Sequence, residues 1–249
     1  MQEYWEIYMK SLEGYPASVQ FNAGISMDLE KNRYIFPTVA FVKVMLKEPN
    51  EKGLLSESEE PEIAFIEDKL EAAMLKFRIG KYVGRVITDG CVTFIYYLQF
   101  TYNWQDFLDF ALEEFGHYEI ESGYQDDGEW NYYQNLLMPT AKEWQIIQNH
   151  KVCKSLQEQG DDLQIKRAIE HRVYFQDVSQ KSALLDILEK DGFKFMEDVR
   201  HEDGFDGIKF YRLDKPFYYD IDEITLQIID ISSEFGALYD GWETSLVKG

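Results

Sequence analysis

The densest group of side chains that could hold a metal ion lies between residues 201 and 206. Three carboxylates and one imidazole occur within six residues, in the order His201, Glu202, Asp203, Gly204, Phe205, Asp206. Carboxylate oxygens are ligands for hard cations, but this spacing does not match an EF-hand loop. Glycine and aspartate are also ordinary turn residues, and a hairpin turn is expected here. We interpret this segment, and the acidic run 125–129, as solvated turns and predict no metal site.

A histidine at the start of a predicted strand is the second candidate for chemistry. His171 lies beside Glu170 and Arg172, and histidine is the commonest general base. The chain shows no nucleophile motif, no phosphate-binding glycine loop and no dinucleotide fingerprint. A histidine without a constellation of partner groups is weak evidence for catalysis. We therefore predict no catalytic residue and no cofactor, and interpret His171 as a surface or interfacial histidine.

The tetrapeptide Tyr239-Asp240-Gly241-Trp242 is the strongest candidate for recognition of a partner. Side chains alternate along a strand, so residues 239 and 241 are expected on one face and 240 and 242 on the other. One aromatic side chain would then pack in the core while the other stays accessible. Tyrosine and tryptophan are enriched among interface hot spots, although aromatic residues also fill cores. In the core interpretation, Gly241 marks a bulge or a close approach of the backbone.

The balance of charge limits the class of partner. The 249 residues include 46 acidic and 25 basic side chains, which gives a formal net charge of −21. Such a surface repels phosphate, so direct nucleic-acid binding is not expected, whereas a basic protein would be attracted. The longest apolar stretch, residues 34–46, is too short for a membrane span. The acidic N-terminus and two distant cysteines favour a cytoplasmic protein without disulfides.

Two successive sets of elements are predicted to position these side chains. Apolar periodicity predicts strand, helix, strand, strand, helix, strand over residues 33–122, and again over residues 172–246. This split βαβ pattern predicts an α+β protein of two ferredoxin-like sandwich domains with antiparallel sheets. A hairpin before the first set and a strand and helix after it complete the first domain. The polar segment 160–162 is expected to join a domain of residues 1–160 to one of residues 166–249.

Local signals predict where several elements begin and end. Gly80 is expected to cap the first long helix, and Asn103 is expected to begin the second. The aromatic run 130–137 is predicted to be a strand. Thr140 is predicted to begin a helix because its spacing to Glu143 is that of a capping box.

Short motifs in the last third of the chain resemble one known family. His171-x-x-Tyr174-Phe175, Gly192-Phe193 and Tyr239-Asp240-Gly241-Trp242 together resemble the family called regulator of ribonuclease activity B. The resemblance spans residues 166–247 and implies a small, acidic, cytoplasmic bacterial protein. Such proteins inhibit ribonuclease E by binding it and are not enzymes. The candidate partner-binding residues are accordingly Tyr239, Asp240, Trp242 and His171.

The first part of the chain resembles an uncharacterised bacterial domain that occurs fused ahead of such a regulator-like domain. The resemblance rests on Trp5-x-x-Tyr8, on Tyr82-Val83-Gly84-Arg85 and on the run 130–139. It implies a fused architecture without implying a role for the first domain.

Three classes of function stay open on the sequence. The first is a non-catalytic regulator that binds ribonuclease E or another RNA-processing factor. The second is an acidic neutraliser of a different basic protein, of the immunity type, for which a neighbouring toxin gene would be the sign. The third is an enzyme or small-ligand protein with a pocket between its two domains.

Overall fold

Alternating buried and exposed side chains build two antiparallel sheets, one in each half of the chain. The computed structural model describes residues 4–248 and contains a sheet of six strands and a sheet of four strands. The prediction of an α+β protein with two antiparallel sheets is confirmed. The strands are β1 (Trp5–Leu12), β2 (Tyr15–Asn22), β3 (Thr38–Met45), β4 (Gly80–Thr88), β5 (Cys91–Leu98), β6 (Ile120–Asp126), β7 (Arg167–Phe175), β8 (Lys194–Arg200), β9 (Asp206–Asp214) and β10 (Ala237–Thr244).

Six α-helices occur within the described residues. They are α1 (Leu29–Ile35), α2 (Glu60–Phe77), α3 (Trp104–Leu112), α4 (Ala141–Glu158), α5 (Lys181–Lys190) and α6 (Tyr218–Glu234). In the first unit, apolar residues of α2 and α3 pack on β3, β4 and β5, with Leu70, Phe94 and Phe107 at 0% exposure. In the second unit, α5 and α6 pack on one face of β7 and β9 around Val173 and Phe210.

The four strands of each βαββαβ set are arranged in the same order in the two sheets. The first sheet runs β1-β2-β4-β5-β3-β6 and the second runs β10-β7-β9-β8. In each βαββαβ set, the fourth strand lies beside the first, followed by the third and then the second. The predicted N-terminal hairpin extends the first sheet, because β2 pairs with β4. The ferredoxin-like assignment of the two units stays a prediction.

The boundary between the units falls earlier than the sequence indicated. The chain divides between Pro139 and Thr140, so the helix predicted to end the first domain lies in the second unit. The capping box at Thr140 is present, and α4 begins one residue later. Helix α4 packs in the second unit because Cys153 and Leu156 cluster with Ile169 of β7 and Ile221 of α6.

The aromatic run 130–137 is helical, and its prediction as a strand was wrong. Trp130 has a φ of 58°, and the residues after it form a helical turn that continues as a π-helix, Tyr133–Leu137. The Trp130 ring stacks on Tyr97 of β5, with 3.8 Å between centroids. We call residues 131–137 the helical segment below. Aromatic residues favoured a strand by propensity, but burial of Trp130, Tyr133 and Leu137 on one face of the sheet outweighs that preference.

Asp127 lies just before this helical segment and is buried. Its burial corrects the interpretation of residues 125–129 as a solvated turn. Its carboxylate accepts hydrogen bonds from the Tyr97 hydroxyl at 2.6 Å and from the backbone N–H groups of Asn131 and Tyr132. Burial raises the pKa of Asp127, but these hydrogen bonds together hold that pKa below its ordinary value. The Asp127 carboxylate therefore accepts hydrogen bonds both from the first N–H groups of the helical segment and from the buried Tyr97 hydroxyl.

The predicted cap at Gly80 differs from the structure, whereas Asn103 is the N-cap residue of α3 as predicted. Arg78, rather than Gly80, ends α2 in the left-handed conformation, with a φ of 52° and its N–H bonded to the Met74 carbonyl. Gly80 begins β4, where a Cβ would lie 2.4 Å from the Tyr97 carbonyl oxygen. Asn103 precedes α3 without a side-chain cap hydrogen bond.

We expect Asp127→Ala to lower the free energy of unfolding of the first unit by about 2–3 kcal/mol at pH 7, because four donor groups of Tyr97, Asn131 and Tyr132 lose their acceptor. The folded-state pKa is depressed, so this stability is present above the unfolded pKa and is lost as pH falls through the folded value. Urea unfolding at pH 7 and below pH 4, followed by tryptophan fluorescence, measures the difference. Asp126→Ala removes an exposed neighbour; equal effects of both substitutions would contradict this role.

Candidate partner-binding site

Strand β10 contains one more residue than its neighbour β7 along the same length. Tyr239 and Gly241 pair with consecutive residues of β7, so Asp240 between them is left out of the register. Gly241 has a φ of 121°, a conformation that glycine adopts readily. This β-bulge shifts the alternation of side chains by one position. Tyr239 and Trp242 therefore lie on the same face, and the prediction that they face opposite sides was wrong.

The bulge encloses the imidazole of His171, which lies directly opposite Trp242 in the register. His171 is 0% exposed; its Nδ1 lies 2.9 Å from the Tyr239 hydroxyl, and its ring stacks on Phe210. Burial, with a contribution from the charge of Arg212, lowers the pKa of His171 to about 3. The imidazole is thus neutral near pH 7. The interpretation of His171 as a surface or interfacial histidine is corrected, because no part of it is accessible.

The Trp242 indole is part of a buried polar network. Its Nε1–H donates to Oδ1 of Asn149 in α4, at 2.8 Å. The Asn149 amide in turn donates to Asp222 and Thr225 of α6, at 2.9 and 2.8 Å. His150 Nε2 lies 2.7 Å from the other oxygen of Asp222. One tryptophan N–H therefore joins β10 to α4 and, through Asn149, to α6.

The outward side of β10 carries different residues. Leu238 is 63% exposed, and Asp240 is exposed at the bulge. Glu243 accepts hydrogen bonds from Arg172 and from Lys209, the latter at 2.8 Å. The hydrogen bond to Glu243, together with the more distant charge of Asp240, raises the pKa of Arg172. Asp240 accepts no hydrogen bond within residues 4–248, so its carboxylate stays available to a partner.

The acidic turn 201–206 connects β8 to β9, and the predicted hairpin turn is confirmed. His201 Nδ1 accepts from the Asp203 N–H at 3.2 Å, and the His201 N–H donates to the Phe205 carbonyl. Across residues 4–248, no three His, Cys, Asp or Glu side chains are grouped so that they could hold a metal ion. The described helices also include none that is long and apolar enough to cross a membrane.

Asn149 and Asp222 organise this unit, and the sequence interpretation did not single them out. Asn149 lies four and seven residues before Cys153 and Leu156, which places a polar side chain on the apolar face of α4. A polar residue at this position was the sign in the sequence that Asn149 has a buried hydrogen-bond partner. The partner in α6 could not be read from the sequence, because residues 149 and 222 meet through tertiary packing alone.

The fold and this site define a two-unit α+β protein whose second unit uses Tyr239 and Trp242 for internal hydrogen bonds and has β10 as an edge strand. Residues 3–138, more than half of the chain, match the model described as a family of unknown function (DUF695), and the chain belongs to that family. Residues 146–244 match the model described as regulator of ribonuclease activity B. Both predicted resemblances are confirmed. At the level of the family, the second unit is related to regulators of ribonuclease activity.

No curated protein matches the chain. Among solved structures, the crystal structure of an unknown protein from Galdieria sulphuraria is 12% identical with a TM-score of 0.22, covering 84% of this chain and 99% of that chain. A crystal structure of a hypothetical protein is 7% identical with a TM-score of 0.21, covering 97% of this chain and 95% of that one. Similarity at this level supports no conclusion about fold or function.

The burial of His171 predicts its behaviour in a titration. With a folded pKa of about 3, its imidazole NMR signals should not shift between pH 8 and pH 5. Because this pKa is depressed below the unfolded value of about 6.5, the unfolded state binds a proton that the folded state does not. Stability should therefore fall as pH drops below about 6.5. A His171 titration midpoint near its ordinary value would contradict the buried, neutral imidazole.

The network predicts graded effects of substitution at Trp242. Trp242→Phe keeps a ring but removes the donor to Asn149, and should lower the free energy of unfolding by about 1–2 kcal/mol. Trp242→Ala also creates a cavity and should cost about 3–5 kcal/mol. Urea unfolding measures both, with Tyr219→Ala as the control, since Tyr219 is 78% exposed on α6. Wild-type stability of Trp242→Ala would show that the indole does not hold this unit together.

Proposed function

We propose that the second unit is a non-catalytic, protein-binding regulator of a ribonuclease, with ribonuclease E or another basic RNA-processing protein as its partner. The match of residues 146–244 to the regulator family is the observation that carries this proposal. That family is regulatory, which supports binding in place of catalysis. The proposal includes a cytoplasmic location and does not include direct contact with nucleic acid.

The partner contact lies on the outward side of β10 in this proposal. Of the four candidate residues, Asp240 contacts the partner, together with the exposed Leu238. Tyr239, Trp242 and His171 act as positioning residues, since they fix the bulge that turns Asp240 outward. The division follows from exposure and hydrogen bonding, because Leu238 and Asp240 are exposed, whereas the polar groups of the three positioning residues are bonded within the unit.

Two further properties of β10 support this surface. β10 is an edge strand, so the backbone along its outer side is available to pair with a strand of a partner. The protein has a net charge of −21, which attracts a basic partner over long range. Complementary charge also makes association dependent on salt concentration.

The test is cleavage of a short RNA by purified ribonuclease E with increasing amounts of the full-length protein. We expect cleavage to slow, and inhibition to weaken at high salt. A double variant, Leu238→Ala with Asp240→Asn, should weaken inhibition about tenfold, since a central apolar and charged contact is lost. Both positions are exposed, so the fold should be retained.

A matched control removes the same chemical groups elsewhere in the second unit. Val178→Ala with Asp186→Asn changes one exposed aliphatic side chain and one exposed carboxylate near α5. This control should inhibit as the native protein does. Inhibition lost equally in both double variants would place the contact elsewhere. No inhibition and no complex with ribonuclease E at low salt would contradict the proposed partner.

A further inference from the structure

A cavity of 340 Å³ lies within the first unit, between its sheet and the helical segment. Val39 and Phe41 of β3 and Ile95 of β5 line it from the sheet, and Tyr132 and Leu136 line it from the helical segment. Most of its lining is apolar. Its volume is at the lower end of the range, about 300–1,000 Å³, that small-molecule sites occupy.

Two features of the chain shape the walls of this space. Gly123 of β6 has no side chain, and the place of its Cβ lies 3.0 Å from Cε1 of Phe41. Phe41 therefore occupies the position that a side chain at residue 123 would take. The helical segment contains a π-helix. Such wide turns are rare in proteins, and those that occur are often found at functional sites. The cavity is thus formed by specific residues and not by loose packing.

One end of the cavity is polar and positively charged. Lys43 and Thr93 both line it and face each other in the β3–β5 register. Lys43 is the single charged residue of the lining. Its ammonium group lies 3.5 Å from Glu121, whose side chain is 60% exposed. An ion pair this long and exposed stabilises little, so a ligand carboxylate can replace it.

We propose that this cavity binds a small carboxylic acid with a flat, apolar body of one or two rings. The Lys43 ammonium and the Thr93 hydroxyl would bind the carboxylate, and Phe41, Ile95 and Leu136 would contact the rings. A cationic ligand is disfavoured because Lys43 repels it and no acidic residue lines the cavity. This site lies in the first unit and is independent of the ribonuclease partner.

The test uses 2-naphthoate as the probe and 2-naphthalenemethanol as its uncharged analogue, titrated into the full-length protein by calorimetry. We expect 2-naphthoate to bind more tightly than the alcohol. Lys43→Met should weaken 2-naphthoate about tenfold, as expected for loss of a charge-assisted contact, and leave the alcohol unchanged. Leu136→Trp should fill the cavity and abolish binding of both probes.

Lys69→Met is the matched control, because Lys69 also forms an ion pair, with Glu114, but does not line the cavity. Its affinity for 2-naphthoate should equal that of the native protein. Absence of 2-naphthoate binding to the native protein would overturn the proposal. Equal loss in Lys43→Met and Lys69→Met would also overturn it, since the effect would then be one of overall charge. Lys43→Met alone decides the outcome if Leu136→Trp does not fold.

Discussion

One extra residue in β10 determines how the second unit is built. The bulge at Asp240 and Gly241 turns both Tyr239 and Trp242 toward the helices. From there Tyr239 reaches His171, while Trp242 reaches Asn149 and so fixes α4 against α6. With regular alternation, one of the two aromatic side chains would point outward and its internal partner would lose a hydrogen bond. A buried polar group without a partner is costly, so the bulge and the network depend on each other.

This arrangement gives the two sides of a single strand different surroundings. The aromatic residues that would ordinarily suggest an interface are half-buried and bonded within the unit, and the exposed residues of β10 are one aliphatic side chain and two carboxylates at the edge of a sheet. The first unit follows a similar principle, since buried Asp127 fixes the helical segment and that segment forms one wall of a cavity. In both units, buried polar contacts hold the backbone in place, and the surfaces available for binding lie beside them.

Much of the fold could be predicted because it depends on local signals. The helix periodicity of α2, the hairpin turn at residues 201–206 and the capping box at Thr140 each specify an element without tertiary information. The errors occurred where tertiary contacts override such signals. Aromatic propensity suggested a strand at 130–137, but stacking of Trp130 on Tyr97 stabilises a helix there. Alternation failed at Gly241, where the glycine marked a bulge. The contacts of Asn149 with α6 and of Asp127 with Tyr97 join residues distant in sequence, so no local pattern indicates them.

In the proposed function, the outward side of β10 contacts a ribonuclease while its inward side holds the second unit together. Hydrogen–deuterium exchange of the full-length protein, with and without purified ribonuclease E, tests this directly. We expect slower exchange in residues 237–244 on complex formation, with exchange in the 141–158 helix unchanged. Protection confined to other parts of the chain, with residues 237–244 exchanging as in the free protein, would contradict it.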